Sequence, residues 1–130
     1  ARNGVFAVFH THSPYATSFS VTKKDIPLIL TEMFPSLGEN VPVAEFARPG
    51  TVEMGTEALK AMTNANACLL CNHGVLTVGR TVEQAYTRAI YVEDVAKIYY
   101  YALTSGFEIN LLPDDYIQNK TTMEVPSQTK

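Results

Sequence analysis

Three short apolar runs lie between helical patterns and predict a sheet with helices packed on it. Residues 5–10 and 67–72 are apolar at nearly every position, as strands buried on both faces are. Residues 75–78 form a third apolar run, which ends at Gly79. We expect Gly74 to permit the tight change of direction between the second and third strands.

Helix start signals precede two shorter segments. Ser13-Pro14 predicts a helix from Pro14 to about Val21, because Ser is a good N-cap and Pro is preferred in the first turn. Thr51 predicts the cap of a second helix, which reaches about Met62.

The longest periodic segment begins at the capping box Thr81-Val82-Glu83-Gln84 and ends near Gly106. Its apolar positions recur three or four apart and predict one buried stripe, consisting of Ala85, Ala89, Val92, Ala96, Tyr99 and Leu103. Glu93 and Lys97 are four apart, which predicts an ion pair on the helix surface. We expect the run of tyrosines at 99–101 to pack against the sheet or a neighbouring subunit.

The middle and the end of the chain carry weaker signals. Residues 35–38 predict a turn and residues 41–46 an extended segment, whereas the apolar residues 28–30 fit more than one type of structure. Past Phe107 the periodicity ends, and residues 119–130 are polar. We expect this tail to be mobile or docked on another part of the protein.

Composition and charge narrow the class of protein. The 130 residues carry 10 Lys+Arg and 13 Asp+Glu, a net charge of −3 without a basic stripe, which argues against a nucleic-acid partner. No apolar run approaches the roughly 18 residues of a membrane span. Two cysteines are too few for a disulfide scaffold and no signal-peptide pattern is present, so we predict a cytoplasmic protein.

The three histidines, His10, His12 and His73, each lie at the end of a predicted strand. Residues two apart on a strand point to the same side, so the imidazoles of His10 and His12 are neighbours, with Cα atoms about 7 Å apart. Three neutral imidazoles with one open position suit Zn²⁺ or a similar divalent ion acting as a Lewis acid. The alternative is three ordinary hydrogen-bonded histidines. Cys68 and Cys71 are expected to be small buried hydrophobes rather than zinc ligands.

With these residues in place, the sequence resembles the class II aldolase/adducin family, in particular its L-fuculose-1-phosphate aldolase branch. The resemblance extends over about residues 5–106. It is carried by three segments in family-like order and spacing, FHTHSPYAT at 9–17, PGT at 49–51 and LLCNHGVLTVG at 69–79, followed by Ala85 and Val92-Glu93.

The resemblance implies a three-layer α/β/α fold around a largely antiparallel central sheet. It also implies that the three histidines hold a divalent metal ion, usually zinc, and that the protein is a homotetramer with active sites at subunit interfaces. The family's phosphate-binding loops and an acidic metal ligand would precede Ala1, so the N-terminal part of the domain is absent here. We expect residues 1–106 to be the C-terminal part of that domain and residues 107–130 to be a tail.

The reaction implied is cleavage of a deoxy-ketose 1-phosphate, such as L-fuculose 1-phosphate, to dihydroxyacetone phosphate and an aldehyde. This reaction needs a base and an acid beside the metal ion. In the segment that matches Ile26 to Glu32 the fuculose-phosphate branch has a Tyr, and the matching position here is Thr31. Glu32 lies beside it, in the neighbourhood where the family places an acid/base, and is the candidate catalytic residue, the alternative being a solvent-exposed Glu without a role. Two other functions stay open: a pentulose-5-phosphate 4-epimerase, which Asp114-Asp115-Tyr116 faintly suggests, and a non-enzymatic interaction module as in adducin.

Overall fold

A computed structural model describes residues 2–121 of the chain. Four strands form one sheet in the order β1-β4-β3-β2, with β1 at Ala7–Thr11, β2 at Val43–Ala44, β3 at Ala67–Leu70 and β4 at Gly74–Gly79. The β1–β4 and β3–β4 pairs are antiparallel, and only the short β2–β3 pair is parallel. The prediction of a largely antiparallel sheet is therefore confirmed.

Helices cover both faces of this sheet. They are α1 at Pro14–Thr22, α2 at Met33–Leu37, α3 at Val52–Ala61, α4 at Val82–Thr104 and α5 at Asp114–Thr121. Helices α1 and α4 pack on one face and α3 packs on the other, which confirms the three-layer α/β/α arrangement. No helix in the described range 2–121 has the length and hydropathy needed to cross a membrane.

Strand β3 shows how the sequence builds the two cores. All four of its residues are buried, and their side chains alternate between the faces. Ala67 and Leu69 join the core beneath α1 and α4, whereas Cys68 and Leu70 join the core beneath α3. An apolar run without alternation therefore marks a strand that is covered on both sides, as predicted for this segment.

Strand β1 differs from the prediction of a fully buried strand. Val8 is 59% exposed and Phe6, just before the strand, is 82% exposed. The physical reason is position, because β1 lies at the edge of the sheet and α3 packs against the β2–β3 side. The uncovered side forms an apolar groove of about 580 Å³ between the sheet and α3, lined by side chains that include Val8, Leu59 and Leu76.

The helix caps follow the sequence signals closely. Thr51 Oγ1 accepts a hydrogen bond from the Met54 N–H at 3.4 Å, and Thr81 Oγ1 accepts one from the Gln84 N–H at 3.1 Å. Gln84 Oε1 in turn accepts from the N–H of Arg80, one residue before the cap. These bonds satisfy donors that the first helical turn leaves free.

The predicted stripe on α4 holds over most of the helix. Ala85, Ala89, Val92 and Ala96 are buried, whereas Leu103 is 44% exposed. At 23 residues, α4 is about 35 Å long, while the 6 residues of β4 span only about 20 Å. The last turns of α4 therefore extend past the strand, which explains the exposure of Leu103.

The predictions for residues 35–46 and for the C-terminal region agree less well with the structure. Residues 35–38 were predicted as a turn but belong largely to α2, and only Val43–Ala44 of the extended segment 41–46 forms a strand. Helix α5 has no counterpart in the sequence prediction. Residues 122–130 of the predicted tail lie outside the described residues, and the division of the chain at 106 stays a prediction.

Candidate metal centre

The three histidines converge on one point at the edge of the sheet. One nitrogen from each imidazole lies within 4.8 Å of the corresponding nitrogens of the other two, and ring centroids are 4.8–5.0 Å apart. Within the described part of the chain, His10, His12 and His73 form the single group of this kind. The juxtaposition expected from the strand ends is present.

His10 is oriented by the neighbouring strand. Its Nδ1–H donates to the carbonyl oxygen of Val75 at 2.8 Å, because a carbonyl can only accept. That bond fixes the tautomer and leaves a lone pair on Nε2, which lies 3.0 Å from His12 Nε2. A backbone acceptor behind a ligating imidazole is typical of histidine metal sites.

His73 lies in the turn at residues 71–73, which joins β3 to β4. Asn72 has a left-handed φ of 56°, a conformation that Asn tolerates better than most residues. The N–H of Asn72 donates to the Ser20 carbonyl of α1 at 3.2 Å, and the N–H of His73 donates to the Leu70 carbonyl at 2.9 Å. Helix α1 and strand β3 thus jointly hold His73 in place.

Gly74 has a different role from the predicted one. Its φ is not in the left-handed region, which in this turn is occupied by Asn72. A Cβ atom at position 74 would instead collide with the Thr11 carbonyl oxygen and lie 2.8 Å from His12 Cδ2 and 3.2 Å from His10 Cε1. Gly74 therefore provides the space in which the two imidazoles of the β1 end pack.

Glu93 holds the segment that carries His12. Its carboxylate accepts hydrogen bonds from the N–H groups of Tyr15 at 2.8 Å and Ala16 at 2.9 Å, in the first turn of α1. Ser13, the predicted cap, makes no side-chain capping bond. The predicted Glu93–Lys97 ion pair is absent from the ion pairs of the described residues, and Lys97 lies over the Tyr15 ring instead, 5.6 Å from its centroid. A helix-surface role was wrong because α1 packs on this part of α4.

The donor set fits a divalent transition metal. Two nitrogens bound to a tetrahedral zinc at about 2.05 Å lie about 3.3 Å apart, close to the His10–His12 separation of 3.0 Å. Burial, with the like charges of His10 and His12, lowers the pKa of His73 and favours the neutral imidazole that binds metal. His73 Nδ1 is buried without a hydrogen-bond partner among the described residues. The residues present are therefore suited to hold the ion.

Glu32 is not part of this cluster. Glu32 is exposed and immediately precedes α2. Its charge acts on Tyr91 of α4, whose phenol pKa is raised first by burial and then by the negative charge of Glu32. The structure thus brings together three of the four residues singled out by sequence and leaves Glu32 outside the group of potential metal ligands.

The cysteines behave as predicted. Both are free and buried, and neither belongs to the potential metal site. Burial raises the pKa of the Cys68 thiol to about 12, so that it stays protonated and packs as a small apolar side chain. Cys71 lies in the turn rather than in the strand, and its S–H donates to Asn72 Oδ1 at 3.2 Å.

Comparison with known proteins agrees with this fold. Residues 1–100 match the family described as Class II Aldolase and Adducin N-terminal domain, and the chain belongs to that family. Among curated relatives, a 5-methylthioribulose-1-phosphate/5-deoxyribulose-1-phosphate aldolase of Rhodospirillum rubrum is 34% identical over 117 residues, which are 90% of this chain and 52% of the relative. An L-fuculose phosphate aldolase of Escherichia coli is 31% identical over 111 residues, 85% of this chain and 52% of that enzyme.

Solved structures extend the likeness to three dimensions. An L-fuculose 1-phosphate aldolase superposes with a TM-score of 0.85 at 35% identity, covering 92% of this chain and 55% of that one. The L-fuculose-1-phosphate aldolase of Thermus thermophilus superposes with a TM-score of 0.69 at 27% identity, covering 85% and 60%. The chain spans about half the length of the curated relatives it matches.

Proposed function

We propose that the protein is a metal-dependent class II aldolase, a lyase that cleaves a deoxy-ketose 1-phosphate to dihydroxyacetone phosphate and an aldehyde. The observation that carries the proposal is the convergence of His10, His12 and His73 on one point. L-fuculose 1-phosphate and 5-deoxyribulose 1-phosphate are the substrates we favour, because relatives named for them are 31–34% identical to this chain. The three histidines also argue against an interaction module that has lost its metal ligands.

Zinc is the metal we propose, since three imidazoles with an open position are a common catalytic zinc set. Bound there, the ion would supply a Lewis acid for the ketone and hydroxyl oxygens of the substrate. The chain's own contribution is orientation. The Val75 carbonyl holds His10 in one tautomer, and the turn that carries His73 is bonded to α1 and β3.

Proton transfer needs a further group in this proposal, and Glu32 is the residue of this chain that we assign to it. Its carboxylate is exposed and so accessible to a substrate or to a neighbouring subunit. As a carboxylate it could accept the hydroxyl proton in one direction and return it in the other. The acidic ligand expected upstream of Ala1 would take the complementary role.

The proposal extends to a homotetramer in the cytoplasm. Association is supported by exposed large apolar side chains on α4, which include Tyr86, Ile90, Tyr101 and Leu103. A reducing compartment is supported by the two unpaired cysteines.

An assay of dihydroxyacetone phosphate release tests the reaction. The full-length protein with Zn²⁺ should release it from L-fuculose 1-phosphate or 5-deoxyribulose 1-phosphate, and should form no xylulose 5-phosphate from ribulose 5-phosphate. We expect Glu32→Gln to lower kcat by about 100-fold or more, as loss of a general acid/base does, while Glu39→Gln serves as a matched exchange at another α2-flanking position. Formation of xylulose 5-phosphate alone would identify an epimerase instead, and full activity of Glu32→Gln would remove Glu32 from the mechanism.

A further inference from the structure

A second group of polar side chains lies at the other end of the sheet. The β1–β4 register runs from Thr11↔Val75, beside the histidines, to Ala7↔Gly79. Just beyond Gly79 is a polar cavity of about 210 Å³, whose lining includes Arg2, Asn66, Arg80, Gln84 and Arg88. Along β4 it is about 17 Å from the turn that carries His73, farther than one pentose or hexose phosphate reaches. It is therefore a separate site.

Arg2 is fixed at this cavity by neutral acceptors. Its Nη1 donates to the carbonyls of Met62 and Ala65, and its Nη2 donates to Asn66 Oδ1 at 3.2 Å. Met62 is the C-cap of α3, so the guanidinium lies at the partly negative end of a helix. That interaction orients Arg2 but supplies no full negative charge.

Arg88 reaches the same cavity from α4. Its Nε donates to the Ser36 carbonyl at 2.9 Å and its Nη1 to the Val78 carbonyl at 2.6 Å. A guanidinium carries five N–H donors. After the bonds above, two donors of Arg2 and three of Arg88 have no acceptor in the described part of the chain.

The two guanidinium groups share one neighbourhood without a counter-charge. No ion pair of residues 2–121 includes Arg2 or Arg88. Burial, and then the positive charge of Arg2, lowers the pKa of Arg88. Two like charges held together in a partly buried cavity are unfavourable unless an anion joins them.

We propose that this cavity binds a phosphate group, free or as a monoester, between the guanidinium groups of Arg2 and Arg88. The planar N–H groups of an oriented guanidinium match the oxygen geometry of phosphate, and the N–H donors that have no acceptor among the described residues point to such a ligand. Gln84 adds a further donor, since its Oε1 atom is held by the Arg80 N–H and its amide N–H₂ group is unused among the described bonds. The site is independent of the proposed aldolase reaction.

The test is a titration of the full-length protein with inorganic phosphate and, separately, with glycerol 1-phosphate, at constant ionic strength set with chloride. Binding is followed by the arginine Nε–H resonances and by calorimetry. Gln84→Glu is the informative variant, because it keeps the side-chain shape and the acceptor for Arg80 while placing a carboxylate in the cavity. Thr87→Glu changes the net charge equally from an exposed position on α4 that does not line the cavity.

We expect phosphate to shift the Arg2 and Arg88 resonances, and Gln84→Glu to weaken that response at least tenfold while Thr87→Glu changes it less than twofold. A response to inorganic phosphate alone would identify a free-ion site, and a stronger response to glycerol 1-phosphate would identify a monoester site. Absence of a shift at both arginines, as when a carboxylate from another part of the protein fills the cavity, would overturn the proposal. So would an equal loss in the two variants, which would indicate only general charge attraction.

Discussion

Replacing Gly74 by Ala is expected to disrupt both the β1–β4 junction and the histidine cluster. The added methyl group meets the Thr11 carbonyl, which is backbone and cannot rotate away, as well as the rings of His12 and His10. Relief requires strand β1 to move away from β4, so we expect a loss of about 2–4 kcal/mol in the free energy of unfolding. Because the displaced strand carries His10 and leads directly to His12, zinc affinity should fall at least tenfold. Chemical denaturation and competitive zinc titration measure the two effects.

Gly55→Ala is the matched control for this substitution. Gly55 lies within α3, and a Cβ atom there meets nothing within 4 Å. Helix propensity alone then predicts a gain of about 0.5–1 kcal/mol, with unchanged zinc affinity. If Gly74→Ala behaves like Gly55→Ala, the close packing of the two imidazoles against position 74 is not what holds the site.

Glu93→Ala is expected to have the second large effect. It removes the acceptor for the N–H groups of Tyr15 and Ala16, which lie in the first turn of α1, shortly after His12. Two charge-assisted bonds are lost and two donors are left free in a partly buried place, so we expect a destabilisation of about 2–4 kcal/mol. Zinc affinity of the folded fraction should also fall, since the chain that positions His12 is no longer held to α4.

Two variants give this prediction its controls. Glu93→Gln keeps one acceptor oxygen and should lose about half as much stability as Glu93→Ala. Asp94→Ala removes the same charge from the exposed neighbouring position and should change stability by less than about 0.5 kcal/mol. Equal effects of Glu93→Ala and Asp94→Ala would show that the carboxylate matters only through its charge.

The sequence predicted those features that depend on short-range rules. Strand periodicity places His10 and His12 on one side, and a His-Gly pair between two apolar runs places His73 at a strand end. Capping residues Thr51 and Thr81 each mark the start of a helix, because the hydroxyl and the donor it satisfies are only three residues apart.

The features that were missed depend on contacts far apart in the chain. Glu93 meets Tyr15 across 78 residues, and no local pattern distinguishes a helix-capping carboxylate from one that pairs with Lys97. The exposure of Val8 depends on which strand lies at the sheet edge, which the apolar run does not encode. The sequence predicted a glycine requirement at position 74 from the change of chain direction. The structure shows that the requirement comes instead from the space occupied by two imidazoles, which no local pattern encodes.

Metal content of the purified full-length protein tests the central claim most directly. After removal of chelator and equilibration with Zn²⁺, elemental analysis should give about one ion per chain. The triple variant of His10, His12 and His73 to Ala should bind none while retaining its circular-dichroism spectrum, and Cys71→Ala should still bind one. Stoichiometric metal in the triple variant would contradict the assignment of the three histidines as ligands.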